Sequence, residues 1–86
     1  MFAYLKGTLV EVESQQKIVV DVQGVGYLIT VPTSLISKLP PRGNEIKVYV
    51  YLGVRQDGME LYGFLSREDK LMFEKLISVS GIGPKA

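Results

Sequence analysis

The chain has 86 residues, 47% of them hydrophobic, and its 10 basic and 9 acidic side chains leave a net charge of +1. This composition is typical of one small globular domain, and the absence of cysteine and histidine from the sequence excludes disulfides, thiol nucleophiles, imidazole bases and Cys/His zinc sites. The longest apolar run covers residues 48–52, far short of the ~20 residues that a membrane span needs, so we expect a cytoplasmic protein without membrane attachment.

The first strand is predicted over residues 2–12 and carries a glycine in its middle. Gly7 at this position indicates a bend or a bulge, as small barrels need at their corners. The polar residues 13–16 predict a turn into the next strand. One alternating face of the first strand contains Phe2, Tyr4, Thr8, Val10 and Val12.

Two further strands are predicted at residues 17–22 and 27–31, because successive side chains there alternate between an apolar and a more polar face. The segment 23–26 between them contains two glycines and predicts a hairpin turn. It is not the start of a dinucleotide-binding motif, since no third glycine and no helix follow it. Pro32 ends the third strand because proline has no amide hydrogen to donate.

A short helix is predicted over residues 33–38, with Thr33 or Ser34 as its N-cap. The proline-containing and glycine-containing segment 40–44 ends this helix. Alternation is cleanest over residues 45–52, where four apolar side chains share one face, so this segment is predicted as strand four.

A tight turn at residues 56–58 leads into a fifth strand over residues 59–64. The hydrophobic period changes at Ser66. The segment 66–69 has the form of a capping box, and apolar residues then recur at helical spacing through about Val79. A helix of three to four turns is therefore predicted after the fifth strand.

These elements predict a mainly β fold, a partly open five-stranded barrel of the OB type with a short helix between strands three and four. An SH3-like barrel is the alternative, although it normally lacks that interposed helix. We expect residues 1–65 to form the barrel domain. Residues 66–86 are expected to begin a second, helical domain.

The C-terminal segment contains a Gly-x-Gly motif that is compatible with two structures. In one, Gly81 and Gly83 turn the backbone so that amide hydrogens converge on a phosphate group, and Lys85 supplies positive charge. In the other, the glycines cap the preceding helix and Pro84 follows as a helix breaker. The residues alone leave both structures open.

The turn between strands four and five is predicted to project from the barrel. Asp57 at its tip would repel phosphates and so disfavour some shapes of nucleic acid. The alternative is that Asp57-Gly58 is present only because a tight hairpin requires it, and that Arg55 is a solvated cation at the end of a strand.

Tyr49 and Tyr51 share the outward face of strand four, where OB folds that bind single strands often stack bases on aromatic rings. A subunit interface explains the pair equally well, because tyrosine is enriched at interfaces. Glu11, Asp21 and Glu60 fall on different strands at outward positions, and their spacing predicts neither a metal site nor a catalytic carboxylate pair. No nucleophile and base are paired, so neither enzymatic activity nor a cofactor is expected.

Five motifs in a fixed order carry a resemblance to a known family. Over essentially its whole length, the chain resembles the N-terminal part of the RuvA family of bacterial Holliday-junction-binding proteins. The motifs are MFAYLKG at residues 1–7, GVGY at 24–27, VRQD at 54–57, LYGF at 61–64 and SGIGPK at 80–85.

The resemblance implies a non-catalytic DNA-binding subunit in recombination and DNA repair, including the SOS response to DNA damage. Its OB-fold domain would assemble as a homotetramer on four-way junction DNA and couple the junction to branch migration. The implied protein partners are the RuvB ATPase motor and the RuvC nuclease, which would engage the full-length protein through regions outside this chain.

Two sets of residues match the family's functional positions. The match to the helix-hairpin-helix hairpin whose amides hold phosphate comprises Gly81, Ile82, Gly83 and Lys85. The match to the loop of the central acidic pin, where acids from four subunits surround the crossover, comprises Arg55, Gln56 and Asp57.

The chain departs from the family pattern at two points. The family's pin commonly carries two adjacent acids, and Gln56 replaces the first of them, so a tetramer would present half the usual acidic charge at its centre. The sequence also stops at Ala86, inside the first helix-hairpin-helix motif, from which we expect a fragment of a longer protein.

Overall fold

The computed structural model describes residues 2–80 of the chain, and the side chains of residues 2–78. Its strands are β1 (Tyr4–Ser14), β2 (Lys17–Val22), β3 (Val25–Thr30), β4 (Glu45–Arg55) and β5 (Gly58–Phe64). Its helices are α1 (Thr33–Ile36) and α2 (Arg67–Ser80). None of the helices in this part of the chain is long and apolar enough to cross a membrane.

The five strands form a closed barrel in the order β1-β2-β3-β5-β4. All neighbouring strands are antiparallel except β3 and β5, which meet in parallel at Thr30 and Tyr62. The interposed helix α1 and this strand order confirm the predicted OB-type barrel, although the barrel is closed and not partly open. They do not match the SH3-like alternative.

The hydrophobic core fills the inside of the barrel. Leu9, Ile18, Ile29, Val48 and Val50 are completely inaccessible to solvent, and α1 adds Leu35 to the same cluster. Full burial of each aliphatic side chain of this size stabilises the fold by about 1.5–3 kcal/mol. The alternation predicted for β2 and β4 therefore marks the faces that pack inside the barrel.

The alternating face noted in the first strand is not its buried face, and its register shifts do not lie at Gly7. Leu5 and Leu9 are buried, whereas the alternating face that includes Tyr4 and Val10 is largely exposed. The pairing of β1 with β2 shifts register after Leu9 and again after Val12, so these irregularities lie beyond Gly7.

Gly7 is required for a close approach between strands. A Cβ atom at this position would overlap the backbone carbonyl of Asp21 in β2 and lie 3.0 Å from a methyl group of Val22. Contacts this short force neighbouring atoms to move. The glycine therefore lets β1 pass close to β2, and the register shifts lie elsewhere than at the bend or bulge predicted for Gly7.

The helix α1 also differs from its prediction, because its N-cap is Pro32 and neither Thr33 nor Ser34. Pro32 has extended backbone angles, with φ −63° and ψ 145°, and its carbonyl accepts a hydrogen bond from the Leu35 amide at 3.0 Å. The helix ends at Ile36 after a single turn, short of the predicted end at residue 38, and the chain continues as a turn in which the Lys38 amide donates a hydrogen bond to the Leu35 carbonyl at 2.9 Å.

The start of α2 is set by Ser66, as the capping-box pattern predicts. The Asp69 amide donates a hydrogen bond to Ser66 Oγ at 3.1 Å. Phe73 then packs the helix on the outer face of the barrel. Its ring centroid lies 5.2 to 5.5 Å from those of Tyr51, Tyr62 and Phe64.

Candidate nucleic-acid interface

The hairpin of β4 and β5 extends beyond the body of the barrel. The two strands pair continuously from Tyr49 and Phe64 to Arg55 and Gly58, whereas β1 pairs with β4 only as far as Tyr49. At about 3.3 Å per residue, β4 continues for about 20 Å past its last partner in β1. The outer part of the hairpin is thus held by β4–β5 pairing.

Side-chain exposure also indicates that the hairpin extends beyond the core of the barrel. Val54 and Met59 form a cross-strand pair on the face that buries Val48 and Val50 deeper in the barrel. Near the turn, however, Val54 is 61% exposed and Met59 is 71% exposed. The core therefore ends before the hairpin does, and the hairpin tip is accessible to a large ligand.

The tip is a two-residue turn made by Gln56 and Asp57 between the paired residues Arg55 and Gly58. Gly58 has a φ of 143°, a conformation that favours glycine, which explains why the turn needs this residue. The Asp57 side chain is 85% exposed. The turn therefore presents a solvated carboxylate at its end, as the sequence predicts.

Arg55, at the base of the turn, lies between two carboxylates. Its Nη2 donates a hydrogen bond to Glu60 Oε1 at 2.9 Å, while its Nε lies 3.8 Å from Asp57 Oδ1. The Arg55 side chain is 38% exposed. Its guanidinium is thus in direct contact with β5 and is not simply a solvated cation.

Glu60 accepts hydrogen bonds from three side chains on three strands. Thr30 Oγ1 donates to Oε2 at 2.6 Å, and the Tyr62 hydroxyl donates to Oε1 at 3.1 Å, alongside Arg55. The Thr30 hydroxyl is the largest influence that holds the pKa of Glu60 below its ordinary value of 4.5. Burial opposes it, and Tyr62 and Arg55 lower the pKa further.

The same network affects Tyr62. Burial is the main reason that the pKa of the Tyr62 phenol lies above its ordinary value of 10.0, and the hydrogen bond and negative charge of Glu60 raise it further. The sequence pattern predicts Glu60 as a separate outward carboxylate. The geometry of the hairpin indicates the contact, because a two-residue turn places Arg55 and Glu60 on the same face, one diagonal step apart.

The two outward tyrosines of β4 have different surroundings. Tyr49 packs edge-on against Tyr4 with ring centroids 6.3 Å apart, and Lys47 Nζ lies 4.3 Å from the Tyr4 centroid and 5.2 Å from that of Tyr49. Tyr51 instead packs against Phe73 of α2. The pair does not form one open platform for stacked bases, so single-strand binding is not favoured.

The predicted phosphate-binding hairpin lies outside the described residues. This prediction named Gly81, Ile82, Gly83 and Lys85, and the description of α2 stops at Ser80 immediately before them. Of the predicted site residues, the structure therefore brings together only those of the hairpin tip, Arg55, Gln56 and Asp57.

The fold and this hairpin define the class of the protein as an OB-type barrel with an extended, acid-tipped β4–β5 hairpin and a flanking helix. The family model described as the RuvA N terminal domain matches residues 1–63. The chain belongs to the RuvA N-terminal domain family.

Curated proteins that match nearly all of this chain carry the name RuvA. The chain is 51% identical over 85 residues to the Holliday junction branch migration complex subunit RuvA of Chloroherpeton thalassium, covering 99% of the chain and 42% of the relative. It is 49% identical over 86 residues to the protein of the same name from Lachnospira eligens, covering all of the chain and 41% of the relative. The chain thus spans less than half the length of these relatives.

Proposed function

We propose that this chain is the junction-recognition domain of a non-catalytic DNA-binding subunit in a cytoplasmic branch-migration complex. The observation that carries the proposal is the exposed Asp57 carboxylate at the end of a hairpin that projects beyond the barrel core. Membership of the RuvA N-terminal domain family supports it. So do the names of the relatives, which are branch migration complex subunits.

The mechanism is selection of DNA shape. Four copies of the chain, arranged with their hairpins together, would surround the open centre of a four-way junction. Each Asp57 would repel the phosphates of a continuous duplex that crossed this centre, because like charges brought close together raise the free energy of that complex. Contacts to backbone phosphates hold the arms without reading their sequence.

The residues after the barrel are assigned to the contact with the DNA backbone. We place the domain boundary at residue 65, close to residue 63, where the family match ends. Gly81, Ile82, Gly83 and Lys85 would hold phosphate through backbone amides and one positive charge. The RuvB motor and the RuvC nuclease are the proposed protein partners, which would act through parts of the full-length protein beyond this chain.

The test of shape selection is Asp57→Asn, which removes the charge and keeps the size of the side chain. We expect the ratio of junction affinity to duplex affinity to fall by about two- to fivefold, measured by fluorescence anisotropy, since an exposed charge is partly screened. An unchanged ratio would contradict the assignment of the pin.

A separate variant tests the backbone contact. Gly81→Ala combined with Gly83→Ala should weaken binding to every DNA shape and leave the junction-to-duplex ratio as it is. Intact affinity in this double variant would return the two glycines to the role of a helix cap.

A further inference from the structure

Arg55 lies close to two carboxylates, and the geometry favours the contact with Glu60, which is further from the tip. Glu60 lies at hydrogen-bond distance, 2.9 Å, and its side chain is 22% exposed. Asp57 lies at 3.8 Å, beyond hydrogen-bond distance, and is 85% exposed. Solvent screens the contact with Asp57 more strongly, so Arg55 is held mainly by Glu60.

Glu60 is itself fixed to the wall of the barrel. Its Oε2 accepts the Thr30 hydroxyl at 2.6 Å, and Thr30 lies where β3 meets β5 and closes the barrel. Across the hairpin, Glu60 faces Gly53 and Arg55 faces Gly58, so neither long side chain meets a bulky partner directly opposite. Thr30, Glu60 and Arg55 form a continuous polar connection from the barrel wall to the base of the tip.

This connection matters because the turn contains one acid. With Gln56 beside Asp57, an Arg55 guanidinium paired to Asp57 would leave the tip with no net charge. We infer that Glu60 is a positioning residue: it holds Arg55 on the barrel wall and so leaves the Asp57 carboxylate as the charge that the tip presents to DNA. The inference rests on the proposed function, which it deepens by naming what keeps the pin acidic.

The first test observes Arg55 directly in the chain without DNA. We would measure the ¹⁵N order parameter of the Arg55 Nε–H group by NMR in the wild type, in Glu60→Gln and in Asp57→Asn. A side chain held by Glu60 becomes more mobile in Glu60→Gln and keeps its order in Asp57→Asn. The opposite pattern, or equal loss of order in both variants, would overturn the inference whatever the chain does with DNA.

The second test asks whether the position of Arg55 changes the preference of the chain for junction DNA. In Glu60→Gln, Arg55 is free to pair with Asp57, and we expect the junction-to-duplex affinity ratio to fall by about two- to fourfold. Removing Arg55 as well, in Glu60→Gln with Arg55→Gln, should restore the ratio because Asp57 is again unpaired. A purely structural role for Glu60 would not be rescued by this second change.

Control variants separate the possible failures. Glu45→Gln also removes one carboxylate, but this side chain is 71% exposed and lies at the opposite end of β4 from Arg55, so it should leave the ratio unchanged. If Asp57→Asn lowers the ratio and Glu60→Gln does not, the inference is wrong and the proposed function stands. If neither variant changes the ratio, the proposed function itself fails.

Discussion

Thr30 and Glu60 are joined by a 2.6 Å hydrogen bond at the point where β3 and β5 close the barrel. Both strands contribute to this contact, and the same carboxylate holds Arg55 at the base of the projecting hairpin. One acidic side chain thus links closure of the fold to the element proposed to recognise DNA.

This carboxylate makes stability dependent on pH in the acid range. The pKa of Glu60 lies below its ordinary value of 4.5 in the folded chain, so its ionised form stabilises the fold at neutral pH. That contribution is present above the unfolded pKa and is lost as the pH falls through the folded pKa. The free energy of unfolding in urea should therefore fall less between about pH 7 and about pH 3 in Glu60→Gln than in the wild type.

The matched control for this experiment is Glu45→Gln, which removes an acid that is 71% exposed and lies 3.9 Å from Lys6. Exposed pairs of this kind contribute little to stability. A specific role for Glu60 would be contradicted if the unfolding free energy of Glu60→Gln fell between about pH 7 and about pH 3 by as much as that of the wild type. It would also be contradicted if Glu45→Gln reduced this fall equally.

Gly7→Ala should destabilise the barrel by about 1–3 kcal/mol, because the added Cβ overlaps the Asp21 carbonyl and the two strands must separate. Gly26→Ala is the control, since a Cβ there meets a Val19 methyl at 3.5 Å, an ordinary van der Waals contact. Equal unfolding free energies for the two variants in urea would show that the close approach at Gly7 is not needed.

Phe73→Ala should weaken the docking of α2 by about 3 kcal/mol, because Phe73 contacts three aromatic rings of β4 and β5. Thermal unfolding gives the loss, and the ring chemical shifts of Tyr51 and Tyr62 report whether the helix has left the barrel. Met72→Ala, on the same helix but 59% exposed, should change both readouts little. Unchanged tyrosine shifts in Phe73→Ala would mean that other contacts hold the helix.

Gln56→Glu adds a second acid beside Asp57, which is the pattern that the resemblance to the RuvA family implies. We expect it to raise the junction-to-duplex affinity ratio by about two- to fivefold, because a second charge at the tip increases repulsion of a duplex. Gln15→Glu, in the turn between β1 and β2, adds the same charge elsewhere on the molecule and is the control. An equal rise in both variants would attribute the effect to overall charge.

The barrel could be predicted from the sequence because alternation in β2 and β4 records which side chains are buried. Ile18, Val20, Val48 and Val50 are all completely buried, as their pattern indicates. Alternation does not predict which face of β1 is buried. Both of its faces carry apolar residues, since Leu5 and Leu9 are buried while Val10 and Val12 are exposed, so alternation alone does not show which face packs inside.

The candidate site was only partly predictable for a different reason. The exposed acid at the tip follows from local turn chemistry, which Asp57 and Gly58 reveal in the sequence. The contacts of Glu60 depend on Thr30, which is 30 residues away along the chain and reaches Glu60 only when the barrel closes. Likewise, α2 covers Tyr51 through Phe73, and no pattern within β4 alone indicates that cover.

The most direct test of junction recognition is a titration of this chain against a four-way junction, a duplex and a single strand of matched length. It should be done at about 50 mM and about 200 mM salt, because phosphate contacts weaken as salt rises. We expect tighter binding to the junction than to the other two DNAs at both salt concentrations. Equal affinity for junction and duplex, a preference for the single strand, or no binding to any of them would contradict it.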